Sequence, residues 1–171
     1  MPVLPSGAIA LDIGANIGDT ALQLHLLSPG LRIISLEPVP ITFWYMFWNL
    51  HANGVPVFSH LDEFISSHGG GVLALNSGAT ADGRNLSMAV NLRRTKSSAV
   101  VSHGSHLSRL NSQAAIAHDG IWRQVTVATH SLTTLLKSLG LANVPLSLLK
   151  VLMPMPNPHN LLPVLSKPAH P

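Results

Sequence analysis

Residues 11–20 read LDIGANIGDT, and the placement of this stretch decides the fold. It follows an apolar run over 8–11 and leads into a helical pattern over 21–27, so Gly14 and Gly18 fall on a tight strand-to-helix turn. Glycine there lets backbone N–H groups approach a small molecule, and the start of the helix adds unpaired donors. A second apolar run over 31–36 ends in Glu37, 19 residues past Gly18. That is near the spacing of about 20 residues at which an acid on the next strand meets a ribose hydroxyl pair. Strand, glycine turn, helix, strand and acid together describe a nucleoside-cofactor half-site.

The residues inside the turn bear on which cofactor. A dinucleotide fingerprint beginning at Gly14 requires glycine at 16 and 19, where this chain has Asn16 and Asp19. Asp19 would place negative charge on the first helical turn, where a pyrophosphate sits. S-adenosylmethionine carries a sulfonium, an ammonium and a carboxylate but no phosphate, so it is compatible with acids such as Asp12 and Asp19. A P-loop is excluded because no Gly-Lys-Ser/Thr follows the turn. The spacing of Asn16 and Asp19 also fits a helix cap and its reciprocal partner, with no cofactor at all.

The run LDIGANIGDT, then SLEPVP at 35–40, then a helix opening on aromatics and ending NLHANG at 49–54, resembles the start of the FkbM family of S-adenosylmethionine-dependent methyltransferases. Weaker similarity follows in NSGATADGRNLSM (76–88), SSAVVS (97–102) and VTVATHSLTTLLKSLGL (125–141), leading to LLKV (148–151). The strong block covers residues 8–54. The resemblance implies an α/β, Rossmann-like class I methyltransferase domain with a doubly wound sheet. It implies cofactor contacts from Asp12, Gly14, Ala15, Asn16 and Gly18, with Glu37 on the ribose. O-methylation of a small-molecule or glycan hydroxyl is the reaction it implies.

The chain of 171 residues is of single-domain length. Only 10% of residues are charged, against about 25% in an average protein, and of seven acids Asp119 is the last. The sequence pI of 9.8 therefore reflects scarce acids more than a basic arm. Residues 84–109 carry five basic side chains, including Arg93, Arg94 and Lys96, and no acid. Without interleaved aromatics or a nucleic-acid motif they read as a solvated face, and no nucleic-acid partner is expected. There is no cysteine, which excludes disulfides and thiolate chemistry. Residues 1–7 do not read as a signal peptide, and the longest apolar stretch, 41–48, is far below the roughly 20 residues of a membrane span. A cytoplasmic location is the default expectation.

After Glu37, a helix is expected over 41–53, with Phe43, Met46, Phe47 and Leu50 forming the buried stripe. Trp44 and Trp48 lie beside that stripe, and the following segment is expected to cover them. A short strand or turn and a short helix near 61–66 follow; Asp62 and Glu63 read as helix-start charges. Gly69-Gly70-Gly71 reads as a flexible joint. A strand over 72–75 ends at Asn76, on the rim shared with Gly14 and Glu37, where Asn76, Ser77 or the Ala79 backbone is placed to meet an adenine edge. Asp82-Gly83 reads as a hairpin turn. Residues 86–92 and 98–101 read as antiparallel strands. His103, His106 and His118 have ligand-like spacing but no acid to complete a set, so they read as loop residues. Residues 125–128 are β-like, and Ser131 caps a helix that Gly140 closes.

The pattern departs from the family near its end. The family reads Thr-Leu-Asp after Ser131 and Leu-Lys-Ile-Asp-Val-Glu-Gly on the next strand; this chain has Leu132-Thr133 and Leu149-Lys150-Val151-Leu152-Met153-Pro154. The acids placed to orient an acceptor are absent, and only His25, Asp82 and His130 remain as titratable candidates for a base. Residues 145–171 hold seven prolines and no acid, so 153–171 is expected to be a tail outside a domain spanning 1–152, leaving the sheet incomplete on its C-terminal side. Truncation, alternative splicing or a frame shift would produce so abrupt a change. The competing expectation is a catalytically silent remnant that binds cofactor or a partner through Trp44 and Trp48. A nicotinamide-dependent oxidoreductase is disfavoured by Asn16 and Asp19.

Overall fold

The computed structural model describes residues 4–91, 98–101 and 122–151. His103, His106, His118, Arg93, Arg94, Lys96 and the proline-rich segment 153–171 lie outside them.

Among the described residues the chain forms an α/β fold built on a five-stranded parallel sheet. Its strands are β1 (Ile9–Ile13), β2 (Arg32–Leu36), β3 (Val57–Phe58), β4 (Gly71–Leu75) and β10 (Leu146–Val151), in the order β10-β1-β2-β4-β3. Such a sheet needs apolar residues on both faces, because helices cover both. Alternate residues of the strands supply them. Ile9, Leu11, Ile13, Ile34, Leu36 and Leu73 pack on one face against Phe64 of α3 (Leu61–Ser66) and Leu132 and Leu135 of α4 (Leu132–Ser138). Ala10, Ile33, Val72 and Ala74 pack on the other against Ala21 and Leu24 of α1 (Asp19–Leu27) and Phe43, Met46 and Leu50 of α2 (Pro40–Ala52).

Two of the helices, α2 and α4, stop where glycine permits it. Beyond α2, Gly54 adopts φ 72, its N–H donates to the His51 carbonyl, and the Val55 N–H donates to the Leu50 carbonyl. Gly140 and Leu141 repeat this pattern on the Lys137 and Leu136 carbonyls beyond α4, as left-handed C-terminal caps do. Ser131 stands at the N-terminus of α4 as expected, but its side chain makes no capping hydrogen bond.

Between β4 and α4 the chain leaves the main sheet. β5 (Gly78–Thr80) pairs in parallel with β9 (Thr129–Ser131), while β6 (Leu86–Asn91) lies antiparallel between β7 (Ser98–Val101) and β8 (Trp122–Val127). Met88, Val90 and Val127 from this smaller sheet bury Val39, so the insert is anchored two residues past Glu37.

Several expectations are corrected. Phe47 is half-buried, so the buried stripe of α2 is Phe43, Met46 and Leu50, joined by Thr42. Trp44 and Trp48 are 52% and 59% exposed, and the described residues after α2 do not cover them. Asp82-Gly83 is a turn, with Gly83 at φ 75, yet the strands on either side of it do not pair with each other and no hairpin forms. Two glycines of the triplet serve close packing, since a side chain on Gly70 would strike the Pro29 carbonyl and one on Gly71 the Pro56 carbonyl. No helix of the described residues is long and apolar enough to cross a membrane.

Candidate functional site

In the sheet order, β1 lies between β2, which follows it in the chain, and β10, which comes last. The direction of strand addition reverses at β1 and β10, and the crevice beyond the carboxyl ends of such a pair is where open α/β sheets place ligands. Asp12 and Lys150 are register partners at that point.

The turn after β1 alternates its conformation. Gly14, Asn16 and Gly18 have φ 73, 54 and 81, so three of five residues are left-handed. Only glycine adopts this freely; asparagine tolerates it better than other side chains. The Gly14 and Ala15 N–H groups both donate to the Leu36 carbonyl, at 2.9 and 3.0 Å, and Gly18 N–H donates to the Ala15 carbonyl at 2.9 Å. Asn16 N–H donates to Glu37 Oε2 at 2.8 Å. The Asn49 amide of α2 donates to the Ile17 carbonyl at 3.0 Å, and Lys150 Nζ donates to the Gly14 carbonyl at 3.0 Å. The turn is thus held from the end of β2, from α2 and from β10.

Gly18 has a second reason to be glycine, since a Cβ there would stand 2.8 Å from Met46 Cγ. Its bare backbone lets the turn seat on α2. Ala15 is fully buried with its N–H and carbonyl both engaged, so it too shapes the turn. The Asn16–Asp19 capping pair does not form: the N-cap is Gly18, and Asp19 Oδ1 accepts from the neighbouring Thr20 N–H.

Glu37 is 6% exposed and aimed at the turn. Its Oε1 accepts the Val39 N–H at 2.9 Å and its Oε2 accepts Asn16 N–H. A carboxylate has about four lone-pair sites, so each oxygen keeps acceptor capacity beyond these bonds. Burial pushes the Glu37 carboxyl above its ordinary value, and the two backbone donors hold it back. Asn76 donates through Nδ2 to the carbonyls of Glu37 and Pro38, at 2.9 and 3.3 Å, tying the ends of β2 and β4 together.

Asp12 is 1% exposed, and Lys150 Nζ lies 2.8 Å from its Oδ1. At this length the contact is charge-assisted and engages Oδ1, while Asp12 Oδ2 has no partner. Burial raises the Asp12 carboxyl above its ordinary value, while Lys150 lowers it. Asn16 Oδ1 is likewise buried without a donor. Asp12 already faces Lys150, so the buried acceptors with spare capacity at the rim are Asn16 and Glu37, which favours a ligand rich in hydroxyl donors. The turn backbone itself offers an anion little, because four of its N–H groups already donate inward.

Asp12, Gly14, Asn16 and Glu37, the residues expected from the sequence, meet at this rim, and Lys150 of the LLKV stretch joins them although its sequence context assigns it no role. None of the titratable candidates for a base hydrogen-bonds or pairs with Asp12, Asn16 or Glu37. His25 sits in the last turn of α1, at the end of that helix away from the turn, and Asp82 forms an exposed pair with Arg84 at 3.6 Å. His130 lies on β9 opposite Ala79. No protein-family model and no curated protein matches the chain.

Proposed function

We propose that the chain is a Rossmann-like domain of the class I methyltransferase kind, similar to the FkbM family, whose cofactor is S-adenosylmethionine. The observation that carries this reading is the buried Glu37 carboxylate directed at the Asn16 turn across the ends of β1 and β2. A ribose diol offers two hydroxyl donors to such a carboxylate, and the donor-poor, acceptor-rich rim suits a nucleoside without phosphates better than a dinucleotide. When bound, the cofactor supplies an electrophilic methyl group for a small-molecule or glycan hydroxyl. In this reading Glu37 orients the sugar, the Gly14–Gly18 backbone fixes its distance, and Asn76 holds the rim in shape.

A second reading, binding without turnover, is favoured by one observation. Among the described residues the two buried acids at this rim are both committed, Asp12 to Lys150 and Glu37 to two backbone N–H groups. Neither is placed to take a proton from an acceptor, and Thr133 stands exposed where the resembling family has an acid.

Calorimetry with S-adenosylmethionine and with NAD, on the chain and its Glu37→Gln variant, tests the first reading. Binding of the sulfonium nucleoside, weakened in the variant, is expected, with no heat from NAD. Heat from NAD, or from neither ligand, overturns it. Release of S-adenosylhomocysteine in the presence of hydroxylated acceptors then separates turnover from silent binding.

A further inference from the structure

Lys150 places a cation between the end of β1 and the turn that follows it. Its Nζ lies 2.8 Å from Asp12 Oδ1 and 3.0 Å from the Gly14 carbonyl oxygen, bridging the last residues of β1 to the first of the turn. Asp12 and Lys150 are register neighbours on adjacent parallel strands, so the contact is set by the sheet and not by a chance rotamer. The Lys150 side chain is about a quarter exposed, whereas Asp12 is buried, so solvent reaches the pair from the lysine side.

We infer that Lys150 is a specificity-determining residue that selects adenosyl ligands by the charge on their side arm: it disfavours an ammonium and welcomes a carboxylate. The inference rests on the adenosyl-cofactor reading above. A second ammonium entering beside Asp12 meets a partner already neutralised and a like charge a few ångströms away, which costs affinity at any intermediate dielectric. An arm ending in carboxylate alone meets the unscreened side of Lys150 and gains by it. Natural adenosyl amino-acid ligands carry both groups, so they receive the two effects with opposite sign.

The probes are S-adenosylhomocysteine and its des-amino analogue, which keeps the thioether and carboxylate and lacks only the ammonium. Binding of both is measured by calorimetry on the full chain and on Lys150→Met and Lys150→Gln. The wild-type chain is expected to bind the des-amino ligand at least as tightly as the aminated one. Both variants are expected to shift the ratio about tenfold toward the aminated ligand, because Asp12 is released as its partner. If both ligands bind and the variants leave the ratio unchanged, or if wild type prefers the aminated ligand by tenfold, the role of Lys150 is overturned while the cofactor reading stands. If neither ligand binds any of the three proteins, the cofactor reading itself is overturned. The wild-type comparison decides the matter even where a variant fails to fold.

Discussion

The Glu37 carboxylate accepts the backbone N–H of Asn16, 21 residues earlier, at 2.8 Å, and it accepts the Val39 N–H at 2.9 Å through its other oxygen. One buried side chain thereby fixes both the turn after β1 and the entry to α2. Glu37→Ala would strand two donors and is expected to cost about 2–4 kcal/mol of stability. Glu37→Gln keeps one acceptor oxygen and is expected to cost about half as much. Urea denaturation of the two variants checks the order; equal stability of Glu37→Ala and wild type would show that these bonds carry no weight.

Gly18 meets two demands at once, φ 81 and the closeness of Met46. Gly18→Ala is expected to lose about 2–4 kcal/mol, from left-handed strain and from overpacking against α2. Trimming the neighbour in a Gly18→Ala/Met46→Ala double variant relieves the clash and leaves the strain. The coupling between the two sites in a double-mutant cycle is therefore expected to be favourable, and strict additivity would show that Met46 does not oppose the new methyl group.

Asn16 offers a way to separate fold from binding. Its φ of 54 is one that glycine adopts without strain, so Asn16→Gly is expected to stay within about 1 kcal/mol of wild type. The variant removes a buried acceptor, Oδ1, that has no protein donor. Adenosyl-ligand affinity is expected to fall several-fold while the denaturation midpoint barely moves. A large loss of stability with unchanged affinity would reverse the assignment.

Burial raises both Asp12 and Glu37 above their ordinary values of 3.8 and 4.5. A raised carboxyl binds more protons in the folded than in the unfolded chain between those values and its folded value, so its contribution to stability falls as pH rises through that window. It is fully present below the window. Asp12→Asn has no titration there. The stability of wild type relative to Asp12→Asn is therefore expected to decline as pH increases from about 3.8 upward, read from urea midpoints along a pH series. A relative stability that rises over this range would mean that Lys150 outweighs burial at Asp12.

The local part of this architecture was legible because it is written in adjacent residues. The apolar run, the glycines at 14 and 18 and the acid at 37 place the turn and its carboxylate without any distant contact. The alternating core positions of β1, β2 and β4 follow from the same runs. What could not be read depends on distant segments. Lys150 lies 136 residues beyond Gly14, and its role appears only once β10 pairs beside β1. Gly18 shows its packing role only when α2 folds back to bring Met46 against it. The two three-residue strands β5 and β9 are too short to carry a period. Trp44 and Trp48 were expected to be covered because apolar surface usually is, and sequence alone does not reveal what lies over a helix face.

The most direct test of the central claim is an NMR titration of the labelled chain with S-adenosylhomocysteine, reading the backbone amides of Asn16 and Val39. These are the two N–H groups that Glu37 holds, and a sugar bound to that carboxylate must alter both. The account predicts that the largest shifts fall at residues 14–18 and at Val39, and that Glu37→Gln abolishes their saturation. Amides at these positions that stay unmoved under excess ligand would contradict it.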